Sequence, residues 1–399
     1  MNELNSKKIV LLSNSAGTLF RFRLPLFHAA RAAGYEVIAA CGSGHNSGKY
    51  IRGLQELGIE THVIDGLESA EVRPGRLLRQ ARELRRILQQ TKPGILHSFT
   101  HAGNVVSFLA ARDCPEIRFF PNLTGSGRLF SDALNLRGRI AKLGLLSVYK
   151  RMAARSEVVF FQNDQDATEF SDFMNLPRDK AIVTPGSGFD PALVSHGLVG
   201  SQASLITRLR DDFDVDTGKR IILYPSRALE SKGVRHFYEV GSRYSELFDD
   251  CFFIHAGEPS SEDQGGLSAD DLRNLESENV RFVGFQDDIF GLMRLAQVVM
   301  LPSQYREGVP RALIEALHFG NAVITYDTPG CRDTVIHGWN GFLARPGSSQ
   351  DLLAGLVALR EKPAKDLESN SRRLFRCRFH ANLVTEIYLR HYERVGVPK

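Results

Sequence analysis

The sequence predicts an α/β protein built from two doubly wound domains. Three observations carry this. The chain of 399 residues exceeds what one hydrophobic core usually serves. Short β-branched runs alternate with amphipathic helical patterns from one end to the other. The alternation lapses once, over residues 191–215, and then restarts.

In the first half, KKIVLLS (7–13), YEVIAAC (35–41), THVID (61–65), GILHSF (94–99), IRFFPN (117–122), EVVFFQN (157–163) and AIVTPG (181–186) read as strands. Helical patterns separate them, such as RLLRQARELRRILQQ (76–90). The segment from Pro191 to Val215 reads as a linker and lead-in. In the second half KRIILYPS (219–226), CFFIHAG (251–257), NVRFVGF (279–285), QVVMLPS (297–303), AVITYD (322–327) and GFLARPG (341–347) are the expected strands. The segment 380–395 reads as a closing helix able to cross back onto the first domain. The expected domains are 1–195 and 196–378, with 379–399 returning to the first and the ligand held in the cleft between them.

A composition of 43% hydrophobic and 24% charged residues excludes disorder. No run of 18 apolar residues exists to span a membrane, and the N-terminus reads as a first strand, not a signal peptide. The five cysteines are scattered without a CxxC, which argues for a reducing compartment and against a disulfide framework or a zinc site. The formal net charge of +4 is uneven: residues 1–200 carry 25 bases and 18 acids, the remainder 25 and 28.

YREGVPRALIEALHFG (305–320) places Glu307 in the loop after a buried strand and Glu315 within the first two turns of the next helix. Pro310 suits the first helical position, where its missing N–H costs nothing. A helix start below a strand's carboxyl end favours phosphate. Carboxylates there must reach past the phosphate to hydroxyls on either side, which suggests a ligand with sugar, diphosphate and sugar in a row. PSRALESKGV (225–234) adds Arg227 and Lys232, two cations able to neutralise a diphosphate. SNSAGTLFRFRLP puts Gly17 where the first strand gives way to a helix, allowing close backbone approach, with Arg21 and Arg23 available to a phosphate. LHSFTHAGNVV (96–106) sets His101 at another helix start, able to hydrogen-bond a sugar. TPGCRDTVIHGWNGFLARPGS (328–348) is a turn-rich loop in which Gly330, Gly338 and Gly341 read as turns.

All these features fall at strand carboxyl ends, where open α/β sheets bind ligands. In this order they resemble the GT-B glycosyltransferases of family 4, along nearly the whole chain. The EGVPRALIEA segment followed by PGCRDTV is the most specific part. FPNLTGSGRLF (120–130) and VVFFQNDQD (158–166) resemble the branch that builds bacterial surface polysaccharides and glycan precursors on polyprenyl diphosphate. That branch includes enzymes adding N-acetylgalactosamine to a lipid-linked diacetylbacillosamine.

The resemblance implies two Rossmann-like domains and a retaining hexosyltransferase that needs no metal or cofactor. Its donor would be a nucleotide sugar, UDP-linked by family habit, and its acceptor a polyprenyl-diphosphate-linked sugar. Glu307 would contact the transferred sugar and Glu315 the ribose. Gly308, Val309 and neighbouring amides would hold the sugar or phosphates. Arg227 and Lys232 would hold the diphosphate, His101 would contact the donor sugar, and Gly17 would admit acceptor and diphosphate. The acid usual after the turn-rich loop's proline is replaced by Cys331, Arg332 and Asp333, so no catalytic role is carried over there.

Residues 137–156 hold six bases and no acid, and 73–92 hold seven bases and one acid. Basic amphipathic helices of this kind adsorb to anionic lipid, so the expected location is cytoplasmic, on the inner face of the plasma membrane through the N-terminal domain. The bases lack interleaved aromatics, which argues against nucleic acid. A UDP-sugar epimerase and a non-catalytic sugar-nucleotide-binding subunit are the alternatives on the same fold.

Overall fold

The computed structural model describes residues 5–44, 47–68, 74–125, 136–195 and 201–394. The chain divides into two compact units, Met1–Gly188 with Ala381–Lys399, and Phe189–His380.

The first unit runs β1 (Asn5–Ser13), α1 (Ala16–Ala32), β2 (Glu36–Gly42), α2 (Ser47–Glu56), β3 (Glu60–Ile64), α3 (Pro74–Thr91), β4 (Pro93–Phe99), α4 (His101–Ala111), β5 (Arg118–Leu123), α5 (Leu136–Arg155), β6 (Val159–Phe161), α6 (Asp164–Met174) and β7 (Ala181–Val183). Its strands lie in the order β3-β2-β1-β4-β5-β6-β7, all neighbours parallel. Strands covered by helices on both faces have no solvated side, so their apolar runs are continuous. Ile9 to Leu12 are fully buried, and all of β4 is buried. Side-chain caps fix where helices begin: Ser15 Oγ accepts the Thr18 N–H at 3.2 Å, and Asn163 Oδ1 accepts that of Asp166 at 2.8 Å.

The second unit comprises α7 (Ala192–Ser195), α8 (Gln202–Phe213), β8 (Arg220–Tyr224), α9 (Val234–Ser245), β9 (Cys251–Ala256), α10 (Ala269–Arg273), β10 (Val280–Gly284), α11 (Ile289–Leu295), β11 (Ala296–Leu301), α12 (Arg311–Phe319), β12 (Ala322–Tyr326), β13 (Gly341–Ala344), α13 (Ser349–Arg360) and α14 (Ala364–Leu374). Its sheet repeats the same winding, β10-β9-β8-β11-β12-β13, again all parallel. The strand order reverses between β1 and β4 in one unit and between β8 and β11 in the other. These are the switch points outside which doubly wound sheets open a crevice at their carboxyl ends.

The last helix, α15 (Ala381–Arg394), belongs to the first unit. It inserts Tyr388 and Tyr392, each 1% exposed, against the sheet. The Tyr392 hydroxyl meets His97 Nδ1 on β4, and Asn122 Nδ2 on β5 donates to the Tyr388 oxygen at 2.7 Å.

Three local expectations change. The linker at 191–215 holds two helices, and the units divide at Gly188, ahead of the expected 195. Leu205 and Leu209 of α8 are buried in the second unit's core, which a polar-looking stretch did not announce. Pro310 is the N-cap of α12 with an extended ψ of 122°, one position before the helix proper. Gly341 lies in β13, where an added Cβ would come 2.0 Å from Val323 O; close strand approach, not a turn, requires glycine there. Gly330 and Gly338 are left-handed turn residues with φ of 79° and 76°.

Candidate active site

The second unit assembles most of the expected residues at the β8/β11 switch point. Beyond Tyr224 the chain forms a loop ending in a short 3-10 turn, Glu230–Lys232. The buried Tyr224 hydroxyl supports it from beneath, donating to Lys232 O at 3.2 Å. Gly233 follows with φ 79°, and a Cβ there would lie 2.1 Å from Pro302 O, so only glycine lets this loop rest on the loop after β11. Gln304 and Tyr305 then donate their N–H groups to Ser231 O at 2.9 and 3.0 Å. On the other side Gly330 is pressed against Gly308, its hypothetical Cβ 1.9 Å from Gly308 O. The Thr328 hydroxyl donates to Ser303 O at 3.1 Å.

This stacking brings Lys232 and Glu307 together. The ammonium meets Glu307 Oε1, and the Ser303 hydroxyl donates to the same oxygen at 3.1 Å. The side chains are only 19% and 15% exposed, and Lys232 also sits 5.5 Å from the centre of the Tyr305 ring. Burial, reinforced by the Glu307 charge, pushes the neighbouring Cys331 thiol up to about 12, so that cysteine is an inert packing residue.

Glu315 lies farther along α12, paired with Arg311 one turn earlier (Nε to Oε1, 2.8 Å), the two being 12% and 14% exposed. Arg311 in turn covers the Phe189 ring at 4.8 Å. Gly308 is buried, and Val309, 6% exposed, packs its side chain into the unit's core. Arg227 is not gathered in. It pairs with Asp263 at 2.9 Å, both about half exposed, so it stands at the site's edge.

In the first unit Gly17 and His101 occupy the carboxyl ends of β1 and β4. Gly17 is a buried first-turn residue of α1; a Cβ would come 3.2 Å from the Tyr50 ring. Arg21 lies over that ring, 5.4 Å from its centre. Arg23 does not face a phosphate site: it is 3% exposed and stacked 4.1 Å over Phe99, because position 23 shares the helix face of Leu19, Leu26 and Phe27.

His101 opens α4 after Thr100, whose φ of 69° is rare for a residue with a Cβ. Both ring nitrogens have partners within the unit. Nε2–H donates to Gly125 O at 2.9 Å, which leaves Nδ1 to accept from the Tyr149 hydroxyl. Burial holds its pKa below the ordinary histidine value, against the opposing pull of the Gly125 bond, so the ring is neutral at pH 7. Of FPNLTGSGRLF, residues 126–130 lie outside the described residues.

Sequence reasoning missed Ser303, Tyr149 and Arg311. The four-residue spacing of Arg311 and Glu315 was visible as a helical pair; the other two are joined to their partners only by the fold.

Residues 21–186 match the family described as Glycosyl transferase 4-like domain, and residues 206–373 match Glycosyl transferases group 1. Among curated proteins, the chain is 25% identical over 390 residues to the N,N'-diacetylbacillosaminyl-diphospho-undecaprenol alpha-1,3-N-acetylgalactosaminyltransferase of Campylobacter jejuni. That alignment covers 97% of this chain and 99% of the relative. Among solved structures, a glycosyltransferase from Rickettsia africae superposes with a TM-score of 0.76 at 18% identity, covering 98% of this chain and all of that one. HepE from Anabaena, in complex with UDP and glucose, gives 0.75 at 19% identity, covering 97% and 100%. With a 4-like domain on the first sheet, a group 1 domain on the second and two parallel sheets wound alike, the chain belongs to the GT-B glycosyltransferases.

Proposed function

We propose that the chain is a retaining glycosyltransferase that moves a hexose or N-acetylhexosamine from a UDP-sugar to a polyprenyl-diphosphate-linked sugar, without a metal. The observation that carries this is the largely buried Lys232–Glu307 pair at the β8/β11 switch point, beside the start of α12. The Campylobacter jejuni relative's lipid-linked acceptor and the UDP in the Anabaena complex support the choice of substrates.

In this reading the donor diphosphate sits at the N-terminus of α12, where the helix dipole favours it. Lys232 supplies the adjacent positive charge, and Arg227 swings from Asp263 to add a second. Glu307, released from its ammonium contact, accepts hydrogen bonds from the sugar hydroxyls. Glu315, oriented by Arg311, takes the ribose hydroxyls. The bond between the anomeric carbon and the phosphate oxygen breaks with its electron pair going to phosphate. The acceptor oxygen bonds the same face of that carbon, and its proton passes to the leaving phosphate oxygen. No protein base is needed, and in the first unit the neutral His101 can offer Nε2–H to a sugar hydroxyl by giving up its Gly125 partner.

The site of action is proposed as the inner membrane face. On α3, Leu78, Arg79, Arg82 and Arg86 are exposed, while Ala81, Leu84, Ile87 and Leu88 are buried in the unit's own core. Contact with anionic lipid is therefore electrostatic adsorption without insertion of an apolar face. Of the basic residues on α5, Arg155 is already committed to Cys114 O and Ile117 O.

The test is a donor panel. Purified protein is incubated with UDP-, GDP-, ADP- and dTDP-sugars and lipid-linked glycans, and released nucleoside diphosphate is measured with and without EDTA. Release from a UDP-sugar that requires the lipid, survives EDTA and yields a product of unchanged anomeric configuration supports the reading. Release abolished by EDTA overturns metal independence, and turnover of donor alone into a new sugar nucleotide overturns transfer.

A further inference from the structure

At the opposite end of the second sheet from the candidate active site, the strand amino ends border a half-open cavity of about 170 Å³. Arg220 opens β8 and Ala296 opens β11, so a five-residue strand, roughly 15 Å, separates the two regions. The floor is apolar, from Ala296, Val298, Phe319 and Leu367. Its polar lining includes three guanidinium groups, Arg220, Arg294 and Arg372, against a single carboxylate, Glu368. Glu368 is half exposed and held by Arg372 at 3.1 Å. Among the described residues Arg220 and Arg294 have no carboxylate partner. Ala364, the first residue of α14, completes the lining.

Two guanidinium groups without carboxylate partners over an apolar floor make a cavity selective for a compact anion. Its volume equals that of about six waters, enough for a phosphate or diphosphate group and too small for a nucleotide sugar. We infer that this cavity is a second anion site, for a small soluble phosphate or diphosphate, separate from the candidate active site. It also adjoins the far end of α12: Arg372 donates to His318 O at 3.1 Å and Phe319 O at 2.8 Å, closing the helix that carries Glu315. An anion drawing on Arg372 therefore acts on the last turn of α12.

The experiment is calorimetric titration of the full chain with inorganic phosphate and with diphosphate, at an ionic strength fixed by chloride. It is done on wild type and on an Arg227→Ala/Lys232→Ala background, which strips the two cations proposed to hold a diphosphate at the active site. Saturable binding that persists on that background, and weakens at least tenfold when Arg220→Gln and Arg294→Gln are added, is the expected result. Ala364→Glu serves as an independent variant. A carboxylate there repels the anion while suiting a helix start, so binding should again fall at least tenfold with no loss of melting temperature. The proposal is overturned by an absence of binding beyond chloride, by binding indifferent to both sets of changes, or by binding lost with Arg227→Ala/Lys232→Ala alone. Displacement of bound phosphate by phosphatidylglycerol vesicles would assign the cavity to a lipid headgroup and overturn the soluble ligand.

Discussion

At the residue scale, the Lys232–Glu307 pair has two separable properties, charge for a ligand and a share in local stability. Lys232→Ala removes the cation proposed to stabilise the leaving diphosphate and should lower turnover about 10²- to 10³-fold. Glu307→Ala should cost a similar factor through lost hold on the sugar. Each single change leaves a mostly buried charge without its counter-ion, whereas the double change removes both. The four unfolding midpoints should therefore be non-additive, with a coupling of about 0.5–3 kcal/mol. Additivity in urea denaturation would mean that the pair is not formed in solution. The sequence displayed both residues, because each follows a strand in a turn-rich stretch. It could not display the pairing, since 75 positions separate the partners and only the touching of two loops joins them. His101 teaches the same lesson: its place at a helix start was readable, but Tyr149, 48 positions away, was not.

At the scale of elements, α12 was the most legible piece, since strand, loop, proline and good helix formers follow one another without interruption. What hid was the glycine-mediated packing of the loops around it. Gly233→Ala combines a positive φ with a Cβ 2.1 Å from Pro302 O, so it should destabilise the second unit by about 1–3 kcal/mol and separate Lys232 from Glu307. Thermal unfolding together with transfer rates would check both effects. Arg311→Ala leaves Glu315 without the guanidinium that orients it. The expected outcome is a several-fold rise in KM for the donor with a smaller change in kcat; the reverse pattern would place Arg311 closer to the chemistry than to the ribose.

At the scale of the whole molecule, two parallel sheets were predicted from alternation alone, because fully buried strands need continuous apolar runs. The precise division of the units was not, because Phe189 and Val194 join the second unit's core from a stretch without strand or helix rhythm. Acid stability is also a property of this scale. His255, fixed between Tyr238 and Ser226 O, is lowered to about 4 by burial, and His318 likewise to about 4 by burial and nearby Arg372. A histidine depressed on folding binds its proton more readily when unfolded. Stability is therefore full above about pH 6.5 and falls as the pH drops toward 4, by up to about 1.4 kcal/mol per unit for each group. Melting temperature should be flat near pH 7–8 and decline below 6.5, and His255→Gln should flatten that decline.

The position of α15 carries a last consequence. Phe189 N donates to Phe379 O at 2.9 Å, so the second unit begins and ends at adjacent points of chain. The first unit lacks Tyr388 and Tyr392 until the whole second unit has been made, and without them His97 and Asn122 lose their buried partners. During synthesis, then, the unit that emerges first is completed last. Residues 189–380 should fold when expressed alone, while a chain stopped at residue 380 should hold a folded second unit beside an unfinished first one. Limited proteolysis of the two fragments would read that order directly.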